Sequence, residues 1–200
     1  MTSPYLRDLR RLLAIFHSPK RTFAGIGETP GVAVVAAVLL LLLAVASASG
    51  GKPAGGSGVT AAFLVPALVA IGWPFVVSGL YLFVFDLFGA EARYRVILSV
   101  ALHAMWFVLV VDLVLGLAGQ LVVDGNSFGV RERLISSFGV DAALARELGF
   151  MLDPLEIGRL LLMGLGFAVA LDIARWMCFA VVFAGWLGFH LLPVIRFLLF

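Results

Sequence analysis

The chain has 200 residues, of which 62% are hydrophobic and 13% are charged. Ordinary soluble domains contain about 45–50% apolar and about 25% charged residues, so the composition predicts an integral membrane protein. The formal net charge is only +2, which gives no reason to expect nucleic acid as a partner. The single cysteine, Cys178, lies in an apolar run and argues against disulfides and thiolate metal sites. We expect neither a metal nor any other cofactor.

Residues 1–31 precede the first long apolar run and carry many of the basic side chains. Leucines and a phenylalanine fall on one helical stripe of this segment, at Leu6, Leu9, Leu13 and Phe16. Because Arg7, Arg10 and Arg11 lie off that stripe, the pattern predicts a cytoplasmic amphipathic helix lying in the membrane surface, its cations near anionic headgroups. A cleaved signal peptide is the alternative, but a basic region of about 30 residues is too long for one.

Five apolar runs follow, at residues 32–48, 59–88, 96–122, 155–171 and 176–200. Each approaches or exceeds the length that a helix needs to cross a bilayer, and none shows the alternation of a membrane β-barrel. The predicted fold is therefore all-α: one domain, residues 32–200, in which five transmembrane helices form a bundle.

Four pairs of residues read as helix beginnings, each with a capping oxygen followed by a proline: Ser3-Pro4, Ser18-Pro19, Thr29-Pro30 and Asp153-Pro154. Glu156 adds the acidic residue of a capping box to the last of them. Small residues on the fourth and fifth runs predict that these two spans pack closely as a hairpin.

Residues 123–154 separate the third and fourth runs and repeat apolar side chains at helical spacing. We expect short amphipathic helices on the outer surface, with a plain soluble loop as the alternative. Arginines and lysines are concentrated near the ends of the runs that face the same side as the N-terminus, so the positive-inside rule predicts a cytoplasmic N-terminus and an external C-terminus.

Two stretches resemble a known family. The segments "LLAIFHSPKRTFAGIGETPG" and "LDPLEIGRLLLMGLGFA" are similar to motifs of the Yip (Ypt-interacting protein) domain family, in particular its bacterial members. The matching positions are Ser18, Pro19, Thr22 and Phe23 in the first segment, and Asp153, Gly164 and Gly166 in the second. The resemblance implies five spans, no known enzymatic activity and, for a bacterial member, the inner membrane. Eukaryotic relatives bind Rab-type GTPases in vesicle traffic.

Ionisable residues inside apolar runs are costly and therefore mark candidate sites. Asp112 and His190 lie at similar depths in their runs, and Arg159 has a side chain long enough to reach toward Asp112. These three residues form a candidate intramembrane polar cluster. Its functional interpretation is a path for protons or ions, and the alternative is a structural pair that neutralises buried charge.

Two functions remain open. The first is a non-enzymatic membrane scaffold of the Yip type that organises the bilayer or binds membrane-protein partners, including further copies of itself. The second is a small proton-linked or ion-linked transporter or channel that uses the polar cluster. We expect no enzyme, because the sequence contains no metalloprotease, serine-hydrolase, Walker or dinucleotide-binding motif.

Overall fold

The computed structural model describes residues 4–49, 59–122 and 153–199. Some side chains within these ranges are not described, that of Asp112 among them. The described ranges contain seven helices and no strand. They are α1 (Pro4–Ala14), α2 (Pro19–Glu28), α3 (Ala33–Ser49), α4 (Val59–Leu87), α5 (Tyr94–Val122), α6 (Pro154–Ala170) and α7 (Arg175–Leu199). The all-α prediction is thus confirmed for this part of the chain.

The five apolar runs correspond to α3 through α7, with ends that differ from the sequence prediction by at most two residues. By length and composition, one stretch among the described residues, Tyr94–Val111 in α5, is long and apolar enough to cross a membrane. Gly72–Leu87 in α4 and Arg175–Leu191 in α7 are shorter apolar helical stretches. A bundle of five crossings therefore remains a prediction. The helices expected within residues 123–152 lie outside the described residues.

Two of the predicted helix beginnings, Ser18-Pro19 and Asp153-Pro154, coincide with helix starts in the structure. Asp153 precedes α6, and its Oδ1 accepts a hydrogen bond of 2.9 Å from the backbone N–H of Leu155, as an N-cap residue does. Ser18 precedes α2 with Pro19 at the first helical position, but its hydroxyl donates back to the carbonyl of Ala14 at 3.3 Å. Ser18 therefore marks the start of α2 and also ties it to the end of α1.

The prediction that Thr29-Pro30 begins a helix is wrong. Thr29 is the C-cap of α2, its backbone N–H bonds to the carbonyl of Gly25, and α3 begins later, at Ala33. The threonine hydroxyl also donates to the Gly25 carbonyl, at 3.2 Å. A hydroxyl near proline can satisfy the carbonyls that end one helix as well as the N–H groups that begin the next, and sequence alone does not distinguish the two.

Glu156, predicted to complete a capping box, forms an ion pair with Arg159. Its two carboxylate oxygens receive the Nε and Nη2 groups of Arg159, one turn further along α6, and the Nε contact measures 2.8 Å. The pair joins two residues three positions apart, a spacing that brings side chains together on a helix.

Helices α1 and α2, with the turn between them, form an N-terminal hairpin that packs into the bundle. Tyr5 and Tyr94, at the beginning of α5, line one cleft, while the ring of Phe16 lies 5.2 Å from that of Phe107. The carbonyl of Leu12 also accepts from the indole of Trp106, so the end of α1 and the turn after it pack against α5. The sequence predicts a helix lying in the membrane surface; in the structure one side of α1 is covered by the bundle.

The bundle closes around Phe167 of α6. Its ring lies 5.3 Å from the rings of both Tyr81 and Phe85 of α4. Helices α6 and α7 pack as the expected hairpin, because Gly164 lies directly against the ring of Phe179. A second, smaller cluster joins Leu12 of α1 to α3 and α5. Both clusters are held together by residues from distant parts of the sequence.

Candidate functional site at the N-terminal hairpin

Arg11 joins the two helices of the hairpin. Its guanidinium donates to the carbonyl oxygens of Gly25 and Thr29, both at 2.6 Å, and to the hydroxyl of Thr29 at 2.8 Å. A fourth contact, 3.4 Å long, reaches the carboxylate of Asp8. The planar fork of donors suits a pair of carbonyls at a helix end, where the last turn leaves acceptors without partners. Arg11 thereby caps the last turn of α2 from outside, by donating to the carbonyls that the helix itself leaves without partners.

The surroundings of Arg11 affect its charge only slightly. Burial lowers the pKa of Arg11 from its ordinary value, Arg7 lowers it further, and the carboxylates of Asp8 and Glu28 raise it. The guanidinium remains charged at any physiological pH, because its ordinary pKa is far above 7. The contacts of Arg11 are therefore charge-assisted hydrogen bonds, the stronger kind.

Asp8 is the acidic residue of this network and is only 8% exposed. Its carboxylate lies against the Cα of Gly31, at a position that the Cβ of any other residue would occupy. Arg7 is a second, more distant partner at 3.9 Å. Gly31 therefore admits a buried carboxylate between α1 and the segment that leads into α3.

The end of α2 contacts two other parts of the bundle, the end of α6 and the turn before α5. A Cβ at Gly27 would lie 2.7 Å from the carbonyl oxygen of Ala170, at the end of α6. The carbonyl of Gly27 accepts a hydrogen bond of 3.2 Å from Arg93, just before α5. Arginines of the α4–α5 turn and the end of α2 consequently lie at the same end of the bundle.

The two Yip-like segments meet at Phe23 and Gly166. Phe23 is fully buried, and a Cβ at Gly166 would lie 2.9 Å from its Cε1 atom and 2.5 Å from Cγ1 of Val100. Thr22 is buried next to Phe23 and donates to the carbonyl of Ser18 at 3.1 Å. The absence of a side chain at Gly166 thus lets the ring of Phe23 reach the surface of α6.

Of the other motif positions, Pro19 begins α2, Asp153 caps α6, and Gly164 receives the ring of Phe179. Their contacts are those of packing and helix ends. The positions suggested by the resemblance therefore include two contact points at which α6 meets its neighbours.

The predicted polar cluster remains a prediction, because the side chain of Asp112 is not among those described. Arg159 is paired with Glu156 on its own helix. The imidazole of His190 lies 5.1 Å from the ring of Trp186 and 5.4 Å from that of Phe189. Within the described ranges, no three His, Cys, Asp or Glu side chains are placed to hold a metal ion.

Two polar side chains of α5 bond to the N-terminal segment, and a buried histidine lies between them on the same helix. Ser99 is buried and donates to the carbonyl of Gly31 at 3.2 Å. The indole N–H of Trp106 donates to the carbonyl of Leu12 at 2.9 Å. His103 is fully buried, with Nδ1 2.7 Å from the carbonyl of Ser99.

Sequence reasoning placed Arg11 among the surface cations and did not identify its role as a cap. The glycines of "AGIGETPG" contained the relevant signal, because Gly25, Gly27 and Gly31 each lie beside a group from elsewhere in the chain. Glycine spacing shows that close approach is possible, whereas the identity of the approaching group requires the fold.

Comparisons of the chain with protein-family models, with curated proteins and with solved structures find no match.

Proposed function

We propose that the chain is a non-enzymatic integral membrane protein of the Yip type, crossing the membrane five times and serving as a scaffold for partners at the bilayer. The contact between Phe23 and Gly166 is the observation that carries this proposal, because it joins the two Yip-like segments at one place in the fold. A hairpin held rigidly in this way presents its outer face in a constant position, which a scaffold requires.

The outer surface of α4 supports placement in a membrane. Val76, Leu80, Phe83 and Leu87 form a stripe at helical spacing, and each is at least 58% exposed. The opposite face, with Tyr81 and Phe85, is buried in the bundle. A helix that is apolar on both faces needs an apolar environment outside the protein, which lipid provides.

The exposed side of α1 supports a bilayer partner with anionic headgroups. Its core-facing side carries Leu12 and Ile15. The apolar stripe predicted from the sequence, together with Tyr5, is exposed. Arg7 and Arg10 are also exposed and occupy a third side of the helix. At about 100° per residue these groups form three separate sectors around the helix: protein-facing, apolar and cationic. This arrangement suits a helix at the headgroup boundary.

The packing of the interior favours a scaffold over a transporter. Gly164 and Gly166 lie in direct contact with side chains of neighbouring helices, so these interfaces contain no room for a water path. The exposed face of α2, which includes Lys20, Arg21, Ala24 and Glu28, is polar and faces away from the bundle. We place partner binding on this face, with the N-terminus in the cytoplasm of a bacterial cell, the C-terminus outside, and further copies of the chain among the possible partners.

Membrane insertion and orientation are tested by extraction and labelling. We expect the chain to stay in the membrane fraction after an alkaline carbonate wash. A Cys178→Ala background with Ala24→Cys should react with a membrane-impermeant maleimide only after the cells are opened, while a C-terminal reporter should be active outside. Release by carbonate, or labelling of Ala24→Cys in intact cells, would contradict the proposal.

The choice between scaffold and transporter is tested by flux and by crosslinking. Liposomes containing the purified chain should show no proton flux above protein-free liposomes. In native membranes, crosslinked partners should be lost on Lys20→Glu with Arg21→Glu, and retained on Arg175→Glu, which reverses an exposed charge away from α2. Proton flux that disappears on Asp112→Asn would instead establish the transporter.

A further inference from the structure

A cleft of about 570 Å³ opens where α1, the linker from α2 to α3 and the beginning of α5 meet. Tyr5 and Asp8 of α1 form one wall, and Tyr94 and Arg95 of α5 form another. Val34 in the first turn of α3 and Leu98 of α5 provide apolar surface. The cleft therefore combines one acidic, one basic, two aromatic and several apolar groups.

The two charged groups of the cleft differ in how firmly they are held. Asp8 is nearly buried, and Arg11 and Gly31 determine its position. Its contacts to Arg11 and Arg7, at 3.4 and 3.9 Å, are longer than the roughly 2.7–2.9 Å of a good charge-assisted bond, so the carboxylate retains accepting capacity. Arg95 is exposed and makes no hydrogen bond or ion pair with the other described residues.

We propose that this cleft binds the headgroup of a zwitterionic phospholipid that ends in a primary ammonium, that is, phosphatidylethanolamine. Arg95 binds the phosphate, while Asp8 accepts from the ammonium and Tyr5 offers its ring face to the same cation. The acyl chains extend out of the cleft and pack against Val34, Leu98 and the exposed apolar stripe of α1. This proposal rests on the proposed function only in that the chain must be embedded in a membrane.

The charge arrangement selects this headgroup among the common phospholipids. A choline headgroup has no N–H donor for the carboxylate of Asp8, so phosphatidylcholine loses that hydrogen bond. An anionic headgroup such as phosphatidylglycerol brings a net negative charge next to Asp8 without a cation to compensate it. Phosphatidylethanolamine satisfies both charged groups at once.

The test is thermal denaturation of the full chain, purified in detergent and titrated with phosphatidylethanolamine, phosphatidylcholine or phosphatidylglycerol of identical acyl chains. We expect phosphatidylethanolamine to raise the Tm at a concentration about tenfold lower than the other two lipids, the effect of one charge-assisted hydrogen bond. Arg95→Gln should raise the required concentration by about tenfold or more. Arg175→Gln, which removes an exposed arginine outside the cleft, should leave it unchanged.

Asp8→Asn replaces a charged acceptor by a neutral one and should reduce the preference over phosphatidylcholine. Because this variant also weakens the Arg11 network, Tyr5→Leu provides a second variant with the carboxylate intact. It should reduce the preference over phosphatidylglycerol, which has no cation for the ring, and leave the preference over phosphatidylcholine. Equal stabilisation by the three lipids, or the same loss in Arg175→Gln as in Arg95→Gln, would overturn the proposal. If free phosphoethanolamine raised the Tm as strongly as the lipid, the conclusion that the ligand is a lipid would be wrong. The titration tests only the cleft, whereas the carbonate wash tests membrane insertion. A negative titration therefore overturns lipid binding and leaves the proposed function standing.

Discussion

Phe23 in the N-terminal hairpin packs directly against Gly166 of α6, although the two residues lie at opposite ends of the chain. Val100 of α5 closes the third side of the contact. The packing of α5, α6 and the N-terminal hairpin therefore depends on the absence of a side chain at Gly166.

Gly166→Ala should destabilise the protein by about 1–3 kcal/mol, because the new methyl overlaps Val100 and Phe23 in a packed interface. Thermal denaturation in detergent measures the change. Gly188→Ala is the matched control, since a Cβ there meets nothing within 4 Å and the helix gains about 0.5–1 kcal/mol. A Val100→Ala substitution in the Gly166→Ala background should recover part of the loss; no recovery would show that the contact is not the cause.

Arg11→Lys should weaken the hairpin although it preserves the charge. A lysine ammonium cannot reach the two carbonyls and the hydroxyl with the geometry of the guanidinium fork, and we expect a loss of about 2–3 kcal/mol. Hydrogen exchange of α1 and α2 should increase in parallel. Arg10→Lys, at the exposed neighbouring position, should change stability by less than about 0.5 kcal/mol, and an equal effect of both substitutions would refute the capping role.

Asp172→Gly should stabilise the protein. Asp172 follows α6 with a φ of 54°, in the left-handed region, and the N–H of Ile173 closes the end of the helix on the carbonyl of Ala168. Glycine adopts this φ without strain, and the substitution also removes a negative charge from a helix C-terminus, so we expect a gain of about 1 kcal/mol. Asp172→Ala, which removes the same charge but keeps a Cβ in the left-handed region, should gain less than Asp172→Gly; an equal rise in Tm for both variants would contradict the argument.

His103→Leu should leave stability unchanged or raise it. Nδ1 contacts the carbonyl of Ser99, and Nε2 is buried without a hydrogen-bond partner among the described residues. Replacing an unsatisfied polar group by an apolar one of similar size removes its desolvation cost. His103→Asp at the same site should destabilise by several kcal/mol, and a large loss of Tm in His103→Leu would show that the imidazole has a partner that matters.

Much of the helical architecture could be predicted from the sequence. The five apolar runs end within two residues of α3 through α7 because long uninterrupted apolar segments leave helix as the regular structure. Asp153 was identifiable as an N-cap because the acidic residue and the following proline act over a few residues. Interactions of this kind join neighbouring residues, so they can be predicted without the tertiary structure.

The site could not be predicted in the same way. Thr29 has the same local signature as a helix start, and the choice between ending α2 and beginning α3 depends on Arg11, which approaches from another helix. Arg159 has a neighbour on its own helix, Glu156, that competes with any distant carboxylate. The amino-acid sequence by itself determined that the chain is apolar, helical and basic at its beginning, because those properties sum over local segments. Only the tertiary structure decided that the end of α1 packs against α5 and that Asp8 and Arg95 line one cleft, because such contacts depend on which glycines allow distant groups to approach.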